Sequence, residues 1–498
     1  MDLKDKRQQR EPFLEACIEY MNSSPTPFDV PGHKMGRFTT DLVDYAGENI
    51  FKADFNAPLG LDNLYHPSGV IKEAQELAAE AFHADKAIFS VNGTTGGIIT
   101  ILIALLKAKE KIILPRNVHK SVINGLIVSG AYPIFVEPDV DKRTGIANGV
   151  SVQTYVKAMD ENPDAKAIFV INPTYFGIAS NLKEIVSQAH KRGIIVICDE
   201  AHGAHFVFNN KMPISAMDAG ADIAALSVHK TAGSLTQTSM ILIKKDRIDI
   251  SRVTKVFAMF SSTSPNHILM ASLDAARKKL YFEGEKLIDN ALELAKYARN
   301  KINKLKGLYA FDKEYCTIDA RYDFDETKLV INTYGLGITG FEVLKILRKK
   351  FNIQLELAEV SEVLAIVSIG TTKEDIEKLI EGLTYLSSTY YKENGELNIP
   401  HFDYTYPKII VRPREAFNAP SKIVPFEDAA GEISAEAIMI YPPGIPIAIP
   451  GELISKQAID LVEFYANNGG VLLSDSPDGY IKVIDQSLWY KGSDLEVE

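Results

Sequence analysis

The chain has 498 residues, too many for one compact core, so two or three domains are expected. Its formal net charge of -11 argues against nonspecific nucleic-acid binding and against docking on anionic membranes. Hydrophobic residues make up 46% and charged residues 24%, as in ordinary globular proteins, and no apolar run reaches the roughly 18 residues of a membrane span.

In chain order, the N-terminal stretch MDLKDKRQQREPFLEA is charged and lacks the apolar core of a secretion signal. Cys17, Cys198 and Cys316 lie far apart without CxxC spacing. They fit reduced thiols in a cytoplasm rather than a disulfide scaffold or a zinc knuckle. From about Asp85 to Ile243, β-rich runs alternate with helical patterns. The expected strands are AIFSV (87–91), KIILP (111–115), YPIFVE (132–137), KAIFVIN (166–172), GIIVICD (193–199) and ADIAALSV (221–228). Segments such as GGIITILIALLKAK and LKEIVSQAHKR lie between them. Near-continuous apolar strands separated by helices indicate an α/β domain with a parallel sheet covered on both faces.

A long helical pattern follows from about Glu283 to Lys306. A smaller α/β section then runs to about Ser387, with strands near KLVINT and VLAIVSI. STYYKENGELNIPHFDYTYPK (388–408) is polar and tyrosine-rich, and reads as a linker. A last unit carries PREAF (413–417) and YPPGIPIAIPGE (441–452), whose prolines are expected to set tight turns and exclude central strands and helices. The expected organisation is an N-terminal segment (1–30), a large domain (31–285), a small domain (286–387), the linker and a C-terminal domain (409–498).

In such sheets ligands sit beyond the carboxyl ends of the strands. NGTTGG (92–97) follows the first strand and opens a helix, so Gly93, Thr94 and Thr95 offer N–H groups and hydroxyls to an anion. A capped tight turn would explain the same glycines. The stretch is neither GxxxxGK[ST] nor GxGxxG, which disfavours a nucleotide or dinucleotide. PRNVHKS (115–121) puts His119 at the same rim, where a histidine serves packing as readily as chemistry. INPTYFG (171–177) puts polar and aromatic groups beyond another strand. Asp199 ends the fifth strand, where it could cap a helix or hold a proton on a ring nitrogen. With Glu200, His202 and His205 it hints at a metal cluster, but the HxxH pair lacks the HExxH pattern, so no metal is expected. Lys230 follows the sixth strand, preceded by Ser227 and His229. An isolated lysine is usually a surface residue.

The conjunction carries the inference. An anion cradle, a carboxylate, an imidazole and a lysine, each at a strand's carboxyl end, suit one ligand: a phosphorylated pyridine aldehyde. Its phosphate needs the cradle, its aldehyde an amine, its ring nitrogen an anion, and its ring a flat neighbour. Partial desolvation would lower the pKa of Lys230 and make it nucleophilic.

Together these segments resemble the fold-type-I pyridoxal-phosphate enzymes, and more narrowly the bacterial Orn/Lys/Arg decarboxylase family. The resemblance is carried by VPGHKMG (30–36), GLDNLYHPSG (60–69), VNGTTGG (91–97), PRNVHKS, INPTYFG, DEAHGAH (199–205), SVHKTAGSLTQTS (227–239), STSP (262–265) and YPPGIPIAIPGE. It spans nearly the whole chain and is greatest toward the short arginine decarboxylases of Gram-positive bacteria. It implies an aspartate-aminotransferase-like large domain with a mostly parallel sheet, a smaller α/β domain and a C-terminal α+β domain.

By position, the resemblance makes Lys230 the Schiff-base lysine, Asp199 the pyridinium partner and His119 the ring-stacking residue. Gly93, Thr94, Thr95, Ser227 and His229 would hold the phosphate, and Ala201 or His202 would line the ring's other face. Ser262, Thr263 and Ser264 of STSP would reach the neighbouring subunit's cofactor, since family members form homodimers with shared active sites, with higher oligomers open. His33 and Lys34 would border the substrate entrance. Glu432 stands where relatives commonly carry arginine. The implied activity is cytoplasmic decarboxylation of arginine to agmatine and CO2, feeding polyamine synthesis. Lysine decarboxylation to cadaverine, ornithine decarboxylation and a pyridoxal-phosphate aminotransferase are the alternatives. Asp54, Asp62, Glu427 and Glu436 are candidates for the carboxylate that meets the substrate's distal charge.

Overall fold

The computed structural model describes residues 3–56, 58–141, 144–393, 395, 407–441 and 445–489. Seven strands order the first half of the chain: β1 (Lys86–Ser90), β2 (Lys111–Pro115), β3 (Tyr132–Val136), β4 (Ala167–Ile171), β5 (Ile195–Asp199), β6 (Ile223–Leu226) and β7 (Ser239–Ile243). Six of these match the runs expected from sequence. β7 is an addition: SMILI follows a Gly/Ser/Thr-rich loop and pairs antiparallel with both β6 and β1. Helices fill the gaps as expected, notably Gly93–Leu105 and Leu182–Lys191.

The chain divides into two compact units, Met1–Leu105 with Ile195–Asp289, and Leu106–Ile194 with Asn290–Glu498. In the first, β1, β7, β6 and β5 lie in that order, and β5 and β6 run parallel with Asp199 opposite Ala225. β6 and β7 are buried along their whole length, as apolar side chains on both faces require. Helix Gly93–Leu105 packs closely on these strands, because a Cβ at Gly97 would already sit 3.4 Å from Ala225 and Ile241. Helix Pro12–Ser23 is tied to the helix beginning at His267 by Asp274, which accepts from Phe13 N at 3.0 Å. Asp274 and its partner Arg277 are both fully buried.

In the second unit, β2 pairs in parallel with β3 and β4. The small α/β section forms an antiparallel sheet ordered Leu357–Ala358, Glu362–Ile366, Lys328–Asn332, Tyr309–Ala310. Helices Gly340–Phe351 and Lys373–Tyr390 share its core, and each opens on a Thr capping box. The second of these takes in the first three residues of the stretch read as a linker, while 394 and 396–406 lie outside the described residues.

The C-terminal segment corrects the proline expectation. Pro413 is the first residue of helix Pro413–Asn418, where its missing N–H is no loss. Pro446 lies within strand Ile445–Ala448, an edge strand of a three-stranded sheet, in keeping with its exclusion from central strands. Residues 442–444 of the YPPGIPIAIPGE motif lie outside the described residues.

Candidate active site

The lysine after β6 does not pass into a loop. Ser227 precedes a single helical turn, Val228–Thr231, and Lys230 rides on it, with its amide donating to Ser227 O at 3.3 Å. The turn aims Lys230 Nζ at His202 Nε2, 2.9 Å away. An ammonium has no acceptor, so while Lys230 is protonated Nε2 accepts and the ring proton resides on Nδ1. Once the amine is neutral, the same contact can run the other way. His202 is buried beside a half-buried amine, which makes this pair a route for a proton at Nζ.

Asp199 closes β5 and is 6% exposed. Its Oδ1 accepts from Ala201 N at 3.0 Å. Burial pushes the carboxyl above its usual range, and the Ala201 bond and the charge of Lys230 pull it back. A buried acid near a cation, on the strand next to the one that leads into the lysine, is the arrangement that holds another positive group. Glu200 points elsewhere: it accepts from Ala216 N at 2.7 Å, and burial pushes its carboxyl well above the usual range.

Two of the hydroxyls proposed for the anion cradle lie side by side. Thr94 Oγ1 lies 2.6 Å from Ser227 Oγ, joining the first turn of helix Gly93–Leu105 to the turn that carries Lys230. Gly93 adopts φ +64 and donates to Gln237 O at 2.8 Å, a backbone shape that favours glycine. Thr95 is exposed on the same turn. His229 donates from Nδ1 to Thr238 O at 2.8 Å, so its neutral form leaves Nε2 unprotonated. Thus Gly93, Thr94, Thr95, Asp199, Ala201, His202, Ser227, His229 and Lys230 all belong to one unit.

His119 belongs to the other. It caps helix Lys120–Ser129, its Nδ1 accepting from Ser121 N at 3.2 Å, and it is exposed. Ser262, Thr263 and Ser264 are exposed, and Tyr65 anchors them by donating its hydroxyl to Ser262 O. Tyr65 was not singled out from sequence, although it lies inside the GLDNLYHPSG stretch. His33 stabilises its loop: Nδ1 accepts from Gly36 N at 3.3 Å and Nε2 donates to Asp54 at 3.1 Å, so both nitrogens are occupied. Lys34 bonds Asp29 O.

The candidate carboxylates separate cleanly. Asp62 accepts from the backbone N–H groups of Asn63, Ser68, Gly69, Ile71 and Lys72, and is taken up by capping. Glu436 is buried, accepting from Asp475 N, Ser476 Oγ and Lys482 N. Neither remains a partner for a substrate cation. Asp54 faces His33, and Glu427 is exposed in the C-terminal segment. Glu432 forms a surface pair with Lys422 at 3.1 Å.

An amine at one strand end, a buried acid at its parallel neighbour and a hydroxyl-bearing helix start define the large domain of a fold-type-I α/β enzyme. The Orn/Lys/Arg decarboxylase major domain matches residues 11–375, and the C-terminal domain of that family matches 401–468. The arginine decarboxylase of Halalkalibacterium halodurans is 43% identical over 474 residues, 95% of this chain and 96% of its own. That of Bacillus subtilis is 41% identical over 461 residues, 91% of this chain and 93% of its own. The crystal structure of the Francisella novicida lysine decarboxylase superposes with a TM-score of 0.83 at 23% identity, covering 95% of this chain and 81% of that one, a likeness of fold. The chain belongs to the Orn/Lys/Arg decarboxylase family.

Proposed function

We propose that this protein is a pyridoxal-phosphate-dependent arginine decarboxylase that converts arginine to agmatine and CO2. The observation that carries the reading is the triad of Lys230, His202 and Asp199 beside the Thr94–Ser227 cradle, in a chain more than 40% identical to proteins named arginine decarboxylase. The residues fit the cofactor: two hydroxyls converge at a helix start, the acid is buried, and the amine is half sheltered from water. Lys230 would carry it covalently, Asp199 would face its ring nitrogen, and Thr94, Thr95, Ser227 and His229 would hold its phosphate. His119 would stack on the ring, as the family resemblance implies. Bound there, pyridoxal phosphate supplies an electron sink for the pair left behind when CO2 departs.

The chain's own residues do the rest. Asp199 fixes a negative charge where positive charge must persist, at no reorganisation cost during reaction. His202 takes and returns the proton at Lys230 Nζ, keeping the amine neutral when it must attack. Exposed Ser262–Ser264 fit a site completed by a second copy, so we infer a homodimer in the cytoplasm, with the amine product feeding polyamine synthesis.

Release of CO2 from arginine, lysine and ornithine, measured side by side on the purified protein with added pyridoxal phosphate, tests the assignment. Arginine should give kcat/KM at least about a hundredfold above the other two, as expected where a guanidinium meets a planar carboxylate. Preference for lysine or ornithine would replace the substrate. Keto-acid amination without CO2 would replace the reaction.

A further inference from the structure

Two C-terminal motifs, PREAF and PGE, play no part in the chemistry above, yet one holds the end of a short helix and the other holds the strand end just ahead of it. Helix Lys120–Ser129 begins at His119, whose imidazole is oriented by its own cap to Ser121. Immediately upstream, Arg116 follows β2 and is 1% exposed. Its guanidinium meets Glu452 in a fork, Nε to Oε1 at 3.1 Å and Nη2 to Oε2 at 2.8 Å. Nη1 donates to Pro446 O at 2.8 Å and Nη2 to Ile447 O at 3.2 Å. Glu452 is fully buried and also accepts from Ile449 N at 2.9 Å.

Downstream, Arg414 reaches the other end of the helix. Its Nε donates to Ile127 O at 2.9 Å and its guanidinium also binds Val128 O, occupying carbonyls that a helix C-terminus leaves unpaired. Gly130, at φ +69, makes room: a Cβ there would meet Arg414 Nη1 at 2.6 Å. A bidentate buried pair fixes orientation as well as distance. The chain is thus held before His119 at Arg116 and after it at the C-terminal end of the helix.

We propose that the C-terminal segment is a positioning device for His119, with Arg116–Glu452 and Arg414 as positioning residues that set where its imidazole lies. This rests on the reading of His119 as the residue that stacks on the cofactor. Adhesion alone does not require contacts on both sides of His119, the one proposed site residue in this unit.

A double-mutant cycle on the full-length protein tests the proposal. The dissociation constant of pyridoxal phosphate, from absorbance titration, and the visible circular dichroism of the bound cofactor are measured for R414A, E452Q, H119A and the paired variants. R414A and E452Q should each loosen the cofactor about tenfold, as small displacements of a working group do, with substrate KM unchanged at saturating cofactor. In the H119A background either change should cost less than about twofold, because the effect passes through His119. Lowered unfolding midpoints with unchanged cofactor affinity and dichroism, or losses that multiply with H119A, would overturn it. If H119A itself binds cofactor and turns over normally, the stacking reading fails and takes this proposal with it. If H119A is impaired and the C-terminal variants are not, only this proposal fails. Should E452Q not fold, R116M/E452M removes both buried charges together and carries the same expectation.

Discussion

At the scale of single residues, several acids sit in surroundings that oppose their charge. Asp199 is one, and its charge is drawn back by Lys230. Glu359 and Glu362 in the small α/β section form a second set, outside the proposed chemistry. Burial pushes Glu359 up to about 7, and Glu362 up to about 8 with Ser361 and Asn332 bonding its carboxyl. Tyr465 donates to Glu359 at 3.2 Å, and Asp141 adds like charge near Glu362. The folded protein keeps these protons where the unfolded chain releases them near the ordinary value of 4.5. Their contribution to stability is therefore whole below that value and is lost as pH rises towards 8. Glu362→Gln should raise the unfolding midpoint at pH 8 and lose that advantage at pH 5. A difference independent of pH would show that Glu362 titrates normally.

The residue scale also marks what sequence could show. The positions of Lys230, Asp199 and Thr94 were legible because each lies at a strand end, which a short apolar run locates to within a residue or two. The His202–Lys230 contact was not, since 28 residues and a turn separate them. Arg116 and Glu452 are 336 residues apart, and no local pattern couples a charge in one segment to a charge in the other. Asp62 and Glu436 looked like free acids because a carboxylate satisfied by backbone N–H groups reads the same as one facing solvent.

Among the elements, those missed share a cause. β7 escaped because its four apolar residues follow a polar loop and pair antiparallel, against the expectation of a parallel sheet. The helix His267–Ile302 was recognised only from Glu283 on. Its earlier part buries Asp274 and Arg277 as a pair at 2.5 Å, which interrupts the apolar stripe that periodicity relies on. Helix Val70–Ala81 shows a cap supplied from a distance. Asp62, at φ +65, lies eight residues before its first residue and collects five backbone N–H groups, which hold its carboxyl below the usual range. Asp62→Ala should cost about 2 kcal/mol, the upper end for loss of a cap, read as a lower denaturant midpoint at unchanged slope. A shift of less than about 0.3 kcal/mol would mean that water replaces it fully.

For the whole molecule, family membership and local geometry meet at one point. Relatives 41–43% identical over more than nine-tenths of the chain set the reaction class, and the strand ends of the first unit bring together the groups proposed for it. Among the described residues no helix is long and apolar enough to cross a membrane. The C-terminal segment, which sequence marked by its prolines and by its family resemblance, reaches back with a buried charge to Arg116 and with a capping arginine to the end of helix Lys120–Ser129.

The central claim is that the amine of Lys230 is the one covalently joined to the cofactor. Borohydride treatment of the protein with pyridoxal phosphate, followed by proteolysis and peptide mass mapping, tests it directly. The label should be found on the peptide containing Lys230, and both it and CO2 release should vanish in Lys230→Ala. A label on any other lysine, or wild-type turnover in that variant, would contradict the account.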